Sequence, residues 1–162
     1  MTISNITDES WKGILKVQDE AYTHVPSETL DVLKSKWEAS PETCFVFRSN
    51  SKDIVGYLLS HPWGSDEPPK LFEKHSPCLS GHTLYLHDLA VRQSSRGLGV
   101  GKQLANRLLH LSTLKKFNRI LLVAIQGSED FWFNLGFREV NNVSVCSSYG
   151  FNAKLMSLNV KA

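Results

Sequence analysis

The stretch RGLGVGKQL, residues 96–104, combines three glycines and two cations at the start of an apolar helical segment. Glycines that follow a strand expose consecutive backbone N–H groups, and the first turn of a helix adds unsatisfied donors at the positive end of its dipole. Arg96 and Lys102 add positive charge suited to a diphosphate. The stretch therefore predicts an anion site, and the alternative is a tight turn without a ligand.

The glycine spacing disfavours the two commonest nucleotide motifs. Gly97, Gly99 and Gly101 run G-x-G-x-G, whereas a dinucleotide fingerprint needs G-x-G-x-x-G. A Walker-type loop needs glycine where Arg96 stands and serine or threonine where Gln103 stands. Neither dinucleotide binding nor nucleotide hydrolysis is favoured.

The elements on either side of the glycines are predicted as strand, helix and strand. The strand TLYLHDLAV, residues 83–91, changes the phase of its apolar alternation, which predicts a β-bulge near residues 87–89. Apolar residues at helical spacing from Val100 predict about four helical turns, and NRILLVAIQ reads as a buried strand. Because the joints are short, the two strands are expected to be parallel.

The rest of the chain is predicted to supply more helices and strands around this unit. Residues 62–82 hold four prolines and two glycines, which predicts an extended loop. The other expected elements are a helix over 8–22, a helix capped by Ser27, a hairpin of TCFVFRS and DIVGYLLSH, a helix capped by Ser128 and closed by Gly136, and an antiparallel ribbon of REVNNVSVCS and NAKLMSLNV.

A third pattern, [RQ]-x-x-G-x-[GA], is matched by Arg96, Gly99 and Gly101. The longer string LAVRQSSRGLGVGKQLANRLL resembles motif A of the GNAT superfamily of N-acetyltransferases, and FWFNLGFREV resembles the end of its motif B. The resemblance covers about residues 84–140. It implies an α/β (α+β) GNAT fold over residues 1–162 as a single domain. The sheet would be mixed and mostly antiparallel, with six to seven strands, a splayed parallel pair and about four flanking helices.

The resemblance also implies acetyl-CoA as the acyl donor. Leu89, Ala90 and Val91 would lie along the pantetheine arm and offer a backbone N–H to the thioester oxygen. Ser128 would replace a hydrogen bond that an asparagine usually makes to the cofactor, and Trp132 would lie near the sulfur. The residues implied for the pyrophosphate are Arg96, Gly97, Leu98, Gly99, Val100, Gly101 and Lys102.

Acyl transfer to an amine needs a proton acceptor, an oxyanion donor and a proton for the leaving thiolate. Many family members have a glutamate just before the Leu-Ala-Val stretch, where this chain has His87 and Asp88. We expect His87 to take the proton and Asp88 to pair with a cationic substrate. The alternative is that both only form hydrogen bonds around the bulge.

The general acid departs from the family pattern. Trp132 stands where the family commonly has tyrosine, and indole is not a useful acid. The thiolate would leave unprotonated, or take its proton from water or from Tyr149, for which a plain turn tyrosine is the alternative. His61 and Trp63 are expected at the acceptor wall, with Asp66, Glu67 and Glu73 in a covering loop.

The composition limits the classes of partner. A net charge of +2 gives no reason to expect nucleic acid or a membrane surface, and the three cysteines have no metal-type spacing, so free buried thiols and no metal are expected. Because no leader pattern or apolar run of about 20 residues occurs, the sequence predicts a soluble cytoplasmic protein, with a homodimer left open. The predicted function is direct acetyl transfer from acetyl-CoA to a primary amine of a small molecule or peptide. The alternative is a non-catalytic acyl-CoA-binding module or sensor.

Overall fold

The computed structural model describes residues 1–75 and 81–161, which form one seven-stranded sheet and four α-helices. The strand order across the sheet is β1-β2-β3-β4-β5-β7-β6. The strands are β1 Thr2–Asn5, β2 Phe45–Arg48, β3 Ile54–Trp63, β4 Thr83–Val91, β5 Arg119–Ala124, β6 Arg138–Glu139 and β7 Lys154–Asn159. The helices are α1 Trp11–Ala21, α2 Leu30–Ala39, α3 Val100–Leu114 and α4 Glu129–Asn134.

Helices cover both faces of the sheet, and each face has its own core. On one face, Val100, Leu104 and Leu108 of α3 and Trp132 of α4 pack with strand residues such as Phe45. On the other face, α1 and α2 pack against a second set of strand residues; this core includes Ile14, Val17, Leu33, Val46, Tyr57 and Leu59. The alternation of Phe45 and Val46 between the two cores shows the period-two pattern of a strand buried on both faces.

The predicted bulge in β4 is confirmed. Leu59 pairs with Asp88 while the next residue, Ser60, pairs with Leu86, so His87 is the extra residue on β4. Leu86 and Leu89 both pack on the α3 side, and the bulge therefore leaves His87 and Asp88 side by side on the opposite face. The bulge is what lets two consecutive polar residues face α1 and α2.

The predicted parallel pair is also confirmed. β4 and β5 are hydrogen-bonded only from Thr83 and Arg119 to Leu86 and Leu122. Beyond Leu86 the two strands separate, so the β5-facing edge of the second half of β4 has no strand partner in the described chain. Every other neighbouring pair among the described strands is antiparallel.

Several boundaries differ from the prediction. Thr29, not Ser27, caps α2, because the chain turns extended only at Thr29 and its hydroxyl accepts from the N–H of Val32. The first predicted helix opens as a 3-10 turn over Asp8–Ser10 before α1. Leu114, expected on the apolar side of α3, is 62% exposed.

The C-terminal ribbon is much shorter on one side than predicted. β6 has two residues, because Asn142 takes a φ of +64° and turns the chain away from the sheet. The segment that follows packs valines 140, 143 and 145 beside Tyr85 and includes a 3-10 turn at Ser147–Tyr149. The sequence prediction also missed β1, which is a short edge strand paired with β2.

The long loop after β3 has no helix or strand in its described part. Pro77 and Cys78 lie outside the described residues. Cys44 is a buried free thiol, as predicted, whereas Cys146 is a free thiol that is only half-buried. Among the helices of the described chain, none combines the length and the apolarity that crossing a bilayer would require.

Candidate active site

The glycine-rich turn between β4 and α3 forms a cradle with accessible backbone. Gly97 and Gly99 have φ values of +79° and +78°, a left-handed conformation that other residues rarely adopt. The first turn of α3 lies close to α4, since a Cβ built at Gly101 would be 3.4 Å from Cζ of Phe131. The backbone N–H groups at the start of α3 are thus exposed beside Arg96 and Lys102.

A cavity of about 510 Å³ begins at this cradle and follows β4, and we call it the donor channel. The predicted cofactor residues that line it are Leu89, Ala90, Val91, Arg96, Gly97, Gly99, Val100, Gly101, Lys102 and Ser128. Leu98 does not line the channel and is 57% exposed. One continuous cavity therefore joins the anion cradle to the unpaired edge of β4.

A second, smaller cavity of about 120 Å³ lies beside the gap between β4 and β5 and adjoins the donor channel, with which it shares lining residues; we call it the acceptor cavity. Its polar wall contains Gln18, Glu28, His87 and Asp88, and Leu86 and Leu122 contribute apolar surface. The residues that line both cavities, and so mark the junction, are Tyr22, Leu89, Ile125, Ser128 and Phe131.

Two tyrosines hold the carboxylate of Asp88 at the acceptor cavity. The hydroxyl of Tyr22 donates to Oδ1 and the hydroxyl of Tyr57 donates to Oδ2. Burial raises the pKa of Asp88 to about 6, although His87 and the two tyrosine hydroxyls favour the ionised form. Asp88 can therefore hold or release a proton near neutral pH.

His87 forms a buried pair with Glu28. Nε2 of His87 lies 2.6 Å from Oε1 of Glu28, and the imidazole side chain has no exposed surface. Nδ1 of His87 has no hydrogen-bond partner among the described residues. The imidazole thus lies behind the Glu28 carboxylate and does not contact solvent itself.

The carboxylate of Glu28 connects several elements. Its Oε2 accepts from the N–H of Phe72 at 2.9 Å, and its backbone exchanges two hydrogen bonds with the side chain of Gln18. Burial raises the pKa of Glu28, but His87, Phe72 and Lys36 together outweigh burial and leave the pKa below its ordinary value. Glu28 is therefore an ionised carboxylate at the wall of the acceptor cavity.

Tyr149, which the sequence offers as a proton source for the thiolate, lies at the wall of the acceptor cavity, but its hydroxyl is already engaged. It donates to the carbonyl of Pro69 and lies 3.0 Å from the hydroxyl of Tyr85. Ser148 accepts from the N–H of Leu71. These contacts hold the loop at residues 69–72 over the acceptor cavity.

The structure places His61 and Trp63 outside the walls of both cavities. His61 is fully buried in an aromatic cluster with His75, and burial lowers its pKa to about 2. The indole N–H of Trp63 donates to the carbonyl of Glu67. Asp66 pairs with Arg119 at 2.6 Å, so these residues support the loop beside the site and do not form the acceptor wall.

Trp132 and Ser128 both reach the site from α4. Trp132 is 6% exposed, packs edge-on against Phe131 and Phe137, and lines the acceptor cavity. Ser128 occupies the N-cap position of α4 but makes no capping hydrogen bond with its side chain, contrary to the prediction. Its hydroxyl is instead available at the junction of the two cavities.

The sequence interpretation missed Tyr22, Glu28 and Tyr57. Tyr22 and Glu28 lie at the ends of the α1–α2 connection, and Tyr57 lies on β3, which pairs with the bulged strand. A polar residue inside the apolar pattern of α1, Gln18, was the one local signal of a buried polar cluster.

Comparison with known proteins agrees with this architecture. Residues 11–137 match the family model described as the acetyltransferase (GNAT) family. The Bacillus subtilis (strain 168) protein named uncharacterized N-acetyltransferase YkwB is 28% identical in an alignment of 136 positions that covers 75% of this chain and 59% of that protein. The chain thus spans less than two thirds of the length of this relative.

Solved structures show the same fold at low identity. Ard1 from Thermoplasma volcanium is 18% identical, covers 99% of this chain and 98% of its own, and has a TM-score of 0.76. The GphF GNAT-like decarboxylase in complex with isobutyryl-CoA is 16% identical, covers 99% of this chain and 100% of its own, and has a TM-score of 0.82. The predicted fold class is therefore confirmed.

Proposed function

Because this chain belongs to the acetyltransferase (GNAT) family of acyltransferases, we propose that it moves an acetyl group from acetyl-CoA to a primary amine of a small molecule or peptide. The single observation that carries the proposal is that the cavity at the anion cradle adjoins a second cavity whose wall contains two carboxylates, Glu28 and Asp88. A CoA thioester is anionic at one end and reactive at the other, which matches the cradle at one end of the donor channel and the carboxylates beyond its junction with the acceptor cavity.

The donor channel supports the first half of the proposal. The N–H groups of the glycine turn and the charges of Arg96 and Lys102 would hold the diphosphate. The unpaired edge of β4 at Leu89–Val91 offers backbone groups to the amides of an extended arm, in the manner of an added strand. The similar fold of GphF holds isobutyryl-CoA, which supports a CoA thioester as the class of donor.

The acceptor cavity supports the second half. Glu28 and Asp88 would attract a protonated amine, and either carboxylate lies in the wall from which a proton acceptor must act. His87 stabilises the charge on Glu28 from behind, so we assign it to the proton-accepting cluster without direct contact with the amine. Direct transfer follows because donor and acceptor meet at one junction.

The experiment is an assay of free CoA thiol released from acetyl-CoA in the presence of a panel of alkyl, aryl and peptide amines. The expected result is amine-dependent thiol release with one acetyl group added to the amine by mass spectrometry. Acetyl-CoA binding without release for every amine would instead favour a non-catalytic acyl-CoA-binding module, for which Trp132 in place of a tyrosine is the motivating feature.

A further inference from the structure

Among the described residues that line both the donor channel and the acceptor cavity, two carry a side-chain hydroxyl, Tyr22 and Ser128. Under the proposed function, the thioester carbon and sulfur lie at this junction, since the donor arrives from one side and the amine from the other. The departing sulfur carries a negative charge that a nearby O–H group can neutralise. Trp132 offers no such group, so a side-chain acid would come from another residue at this junction.

Tyr22 has the geometry of a proton donor coupled to a proton acceptor. Its hydroxyl donates to Oδ1 of Asp88 and lies 3.3 Å from the carbonyl oxygen of Leu89, on the unpaired edge of β4. Tyr22 follows the last residue of α1, where its own N–H caps the helix by donating to the carbonyl of Gln18. The side chain is thus held between α1 and the bulged strand.

The protonation states of the pair suit opposite roles. Burial raises the pKa of Tyr22 well above its ordinary value, and the charge of Asp88 raises it further, so the phenol keeps its proton at neutral pH. The carboxylate of Asp88 faces two hydroxyl donors, the imidazole of His87 and the carboxylate of Glu28. Its own pKa of about 6 lets it accept a proton briefly.

We propose that Tyr22 is the general acid of acyl transfer and that it acts as a pair with Asp88. This inference rests on the proposed function. Under this assignment the proton donor comes from the end of α1 and not from α4. The hydrogen bond between the Tyr22 hydroxyl and Oδ1 of Asp88 then joins the proton donor to the proton acceptor.

The proton and electron balance of the step is simple. A protonated amine first loses its ammonium proton to solvent, which frees the nitrogen lone pair. As this neutral amine nitrogen bonds to the acyl carbon, the carbon–sulfur bond breaks and its electron pair stays on sulfur. Asp88 accepts the proton that the nitrogen loses. Tyr22 gives its hydroxyl proton to sulfur and takes the proton from Asp88, so that amide and CoA thiol leave and both residues return to their starting states.

Tyr57 provides a matched control inside the same cluster. Its hydroxyl donates to Oδ2 of Asp88 as that of Tyr22 donates to Oδ1, but Tyr57 is fully buried and lines neither cavity. Tyr22→Phe and Tyr57→Phe each remove one hydroxyl from Asp88, and only Tyr22→Phe removes a hydroxyl from the junction. Ser128→Ala removes the other hydroxyl at the junction.

The first measurement is steady-state acetyl transfer by the full chain and these three variants, each checked for an unchanged urea unfolding midpoint. Tyr22→Phe is expected to lower kcat about 100-fold, the size of one general-acid contribution, with little change in the KM for acetyl-CoA. Tyr57→Phe and Ser128→Ala are expected to lose much less. Equal losses for the two tyrosine variants, or a larger loss for Ser128→Ala, would overturn the assignment.

The second measurement needs no amine and separates this inference from the proposed function. The thiol of bound CoA is titrated by its ultraviolet thiolate absorbance in the parent protein and in the two tyrosine variants. A hydroxyl donor beside the sulfur stabilises the thiolate, so the thiol pKa is expected to be about one unit lower in the parent protein than in Tyr22→Phe. Identical pKa values would overturn the placement of Tyr22, even if acetyl transfer is found. A shifted pKa without transfer to any amine would support the placement while the proposed function fails.

Discussion

Oε1 of Glu28 lies 2.6 Å from Nε2 of His87, although 59 residues separate the two along the chain. The contact joins the connection between α1 and α2 to the bulge of β4. The same carboxylate accepts from Phe72 in the loop over the acceptor cavity and lies near the buried cation of Lys36. Glu28 is therefore the residue through which three separate segments meet at the site.

Replacing Glu28 with glutamine is expected to lower the free energy of unfolding by about 3 kcal/mol at pH 7, because a buried carboxylate that contacts His87 and accepts from the N–H of Phe72 loses its charge. Because the folded-state pKa of Glu28 lies below its ordinary value, the difference from the parent protein should shrink as the pH falls from the ordinary glutamate pKa through the lowered one, where Glu28 is protonated in both states and its contribution is lost. Urea unfolding across this pH range measures the effect. Glu38→Gln, on the exposed face of α2, is the matched control and should change stability little. Equal midpoints for the two variants at pH 7 would contradict the account.

Substitutions at Gly99 test whether the glycine-rich turn binds the diphosphate of acetyl-CoA. Gly99→Glu is expected to abolish acetyl-CoA binding by calorimetry, because a side chain and a negative charge would enter the cradle at the start of α3. Gly99→Ala controls for the backbone, since its φ of +78° strains both variants alike. Gly99→Ala should lower the free energy of unfolding and should still bind acetyl-CoA with measurable affinity. Equal affinities of Gly99→Glu and Gly99→Ala for acetyl-CoA would show that the diphosphate does not bind at this turn.

The burial of His61 predicts that the free energy of unfolding falls in acid. Its pKa falls to about 2 in the fold because of burial, so the unfolded chain binds a proton below about pH 6.5 that the folded chain does not bind. This group therefore removes about 1.4 kcal/mol of stability for each pH unit below that value. His61→Phe should flatten the fall in stability between pH 6.5 and 4 by this amount. His110→Phe, at an exposed position on α3, should leave the slope unchanged; a slope unchanged in both variants would rule out a neutral buried His61.

Trp132 allows a rescue experiment on the proposed acid. Trp132→Tyr places a phenol at the wall of the acceptor cavity, whereas Trp132→Phe leaves a similar shape without a hydroxyl. Both should destabilise the core by about 1–3 kcal/mol, because each removes ring volume beside Phe131 and Phe137. In a Tyr22→Phe background, only tyrosine at position 132 should recover acetyl transfer. Recovery by phenylalanine as well would show that the effect comes from packing alone.

The sequence predicts the backbone on the donor side well, because the signals for the bulge and for the glycine turn are local. The phase change between Leu86 and Leu89 predicts the bulge, and the glycines at positions 97 and 99 occupy the left-handed backbone positions that require them. The acceptor side depends on contacts between distant segments. Tyr22 and Asp88 are 66 residues apart, and no local pattern says that the end of α1 lies over the gap between β4 and β5.

The same reasoning explains the misplaced residues. His61 and Trp63 lie near the end of β3, as expected, but β3 carries them into an aromatic cluster beside the acceptor cavity and not into its wall. β1 has four residues and little apolar character, so periodicity could not identify it. The sequence predicts too long a first strand for the C-terminal ribbon, because its valines are typical of a strand. In the structure these valines belong to a loop that packs beside Tyr85.

The most direct test of the central claim is acetyl transfer itself, followed as CoA thiol release and as acetylated amine, in the parent protein and in Asp88→Asn. The account predicts amine-dependent release by the parent protein, with a rate that rises through an apparent pKa near 6 as Asp88 loses its proton. It predicts that Asp88→Asn binds acetyl-CoA with similar affinity and loses that rise together with most of the rate. Tight acetyl-CoA binding by the parent protein with no transfer to any amine, or an unchanged pH profile in Asp88→Asn, would contradict it.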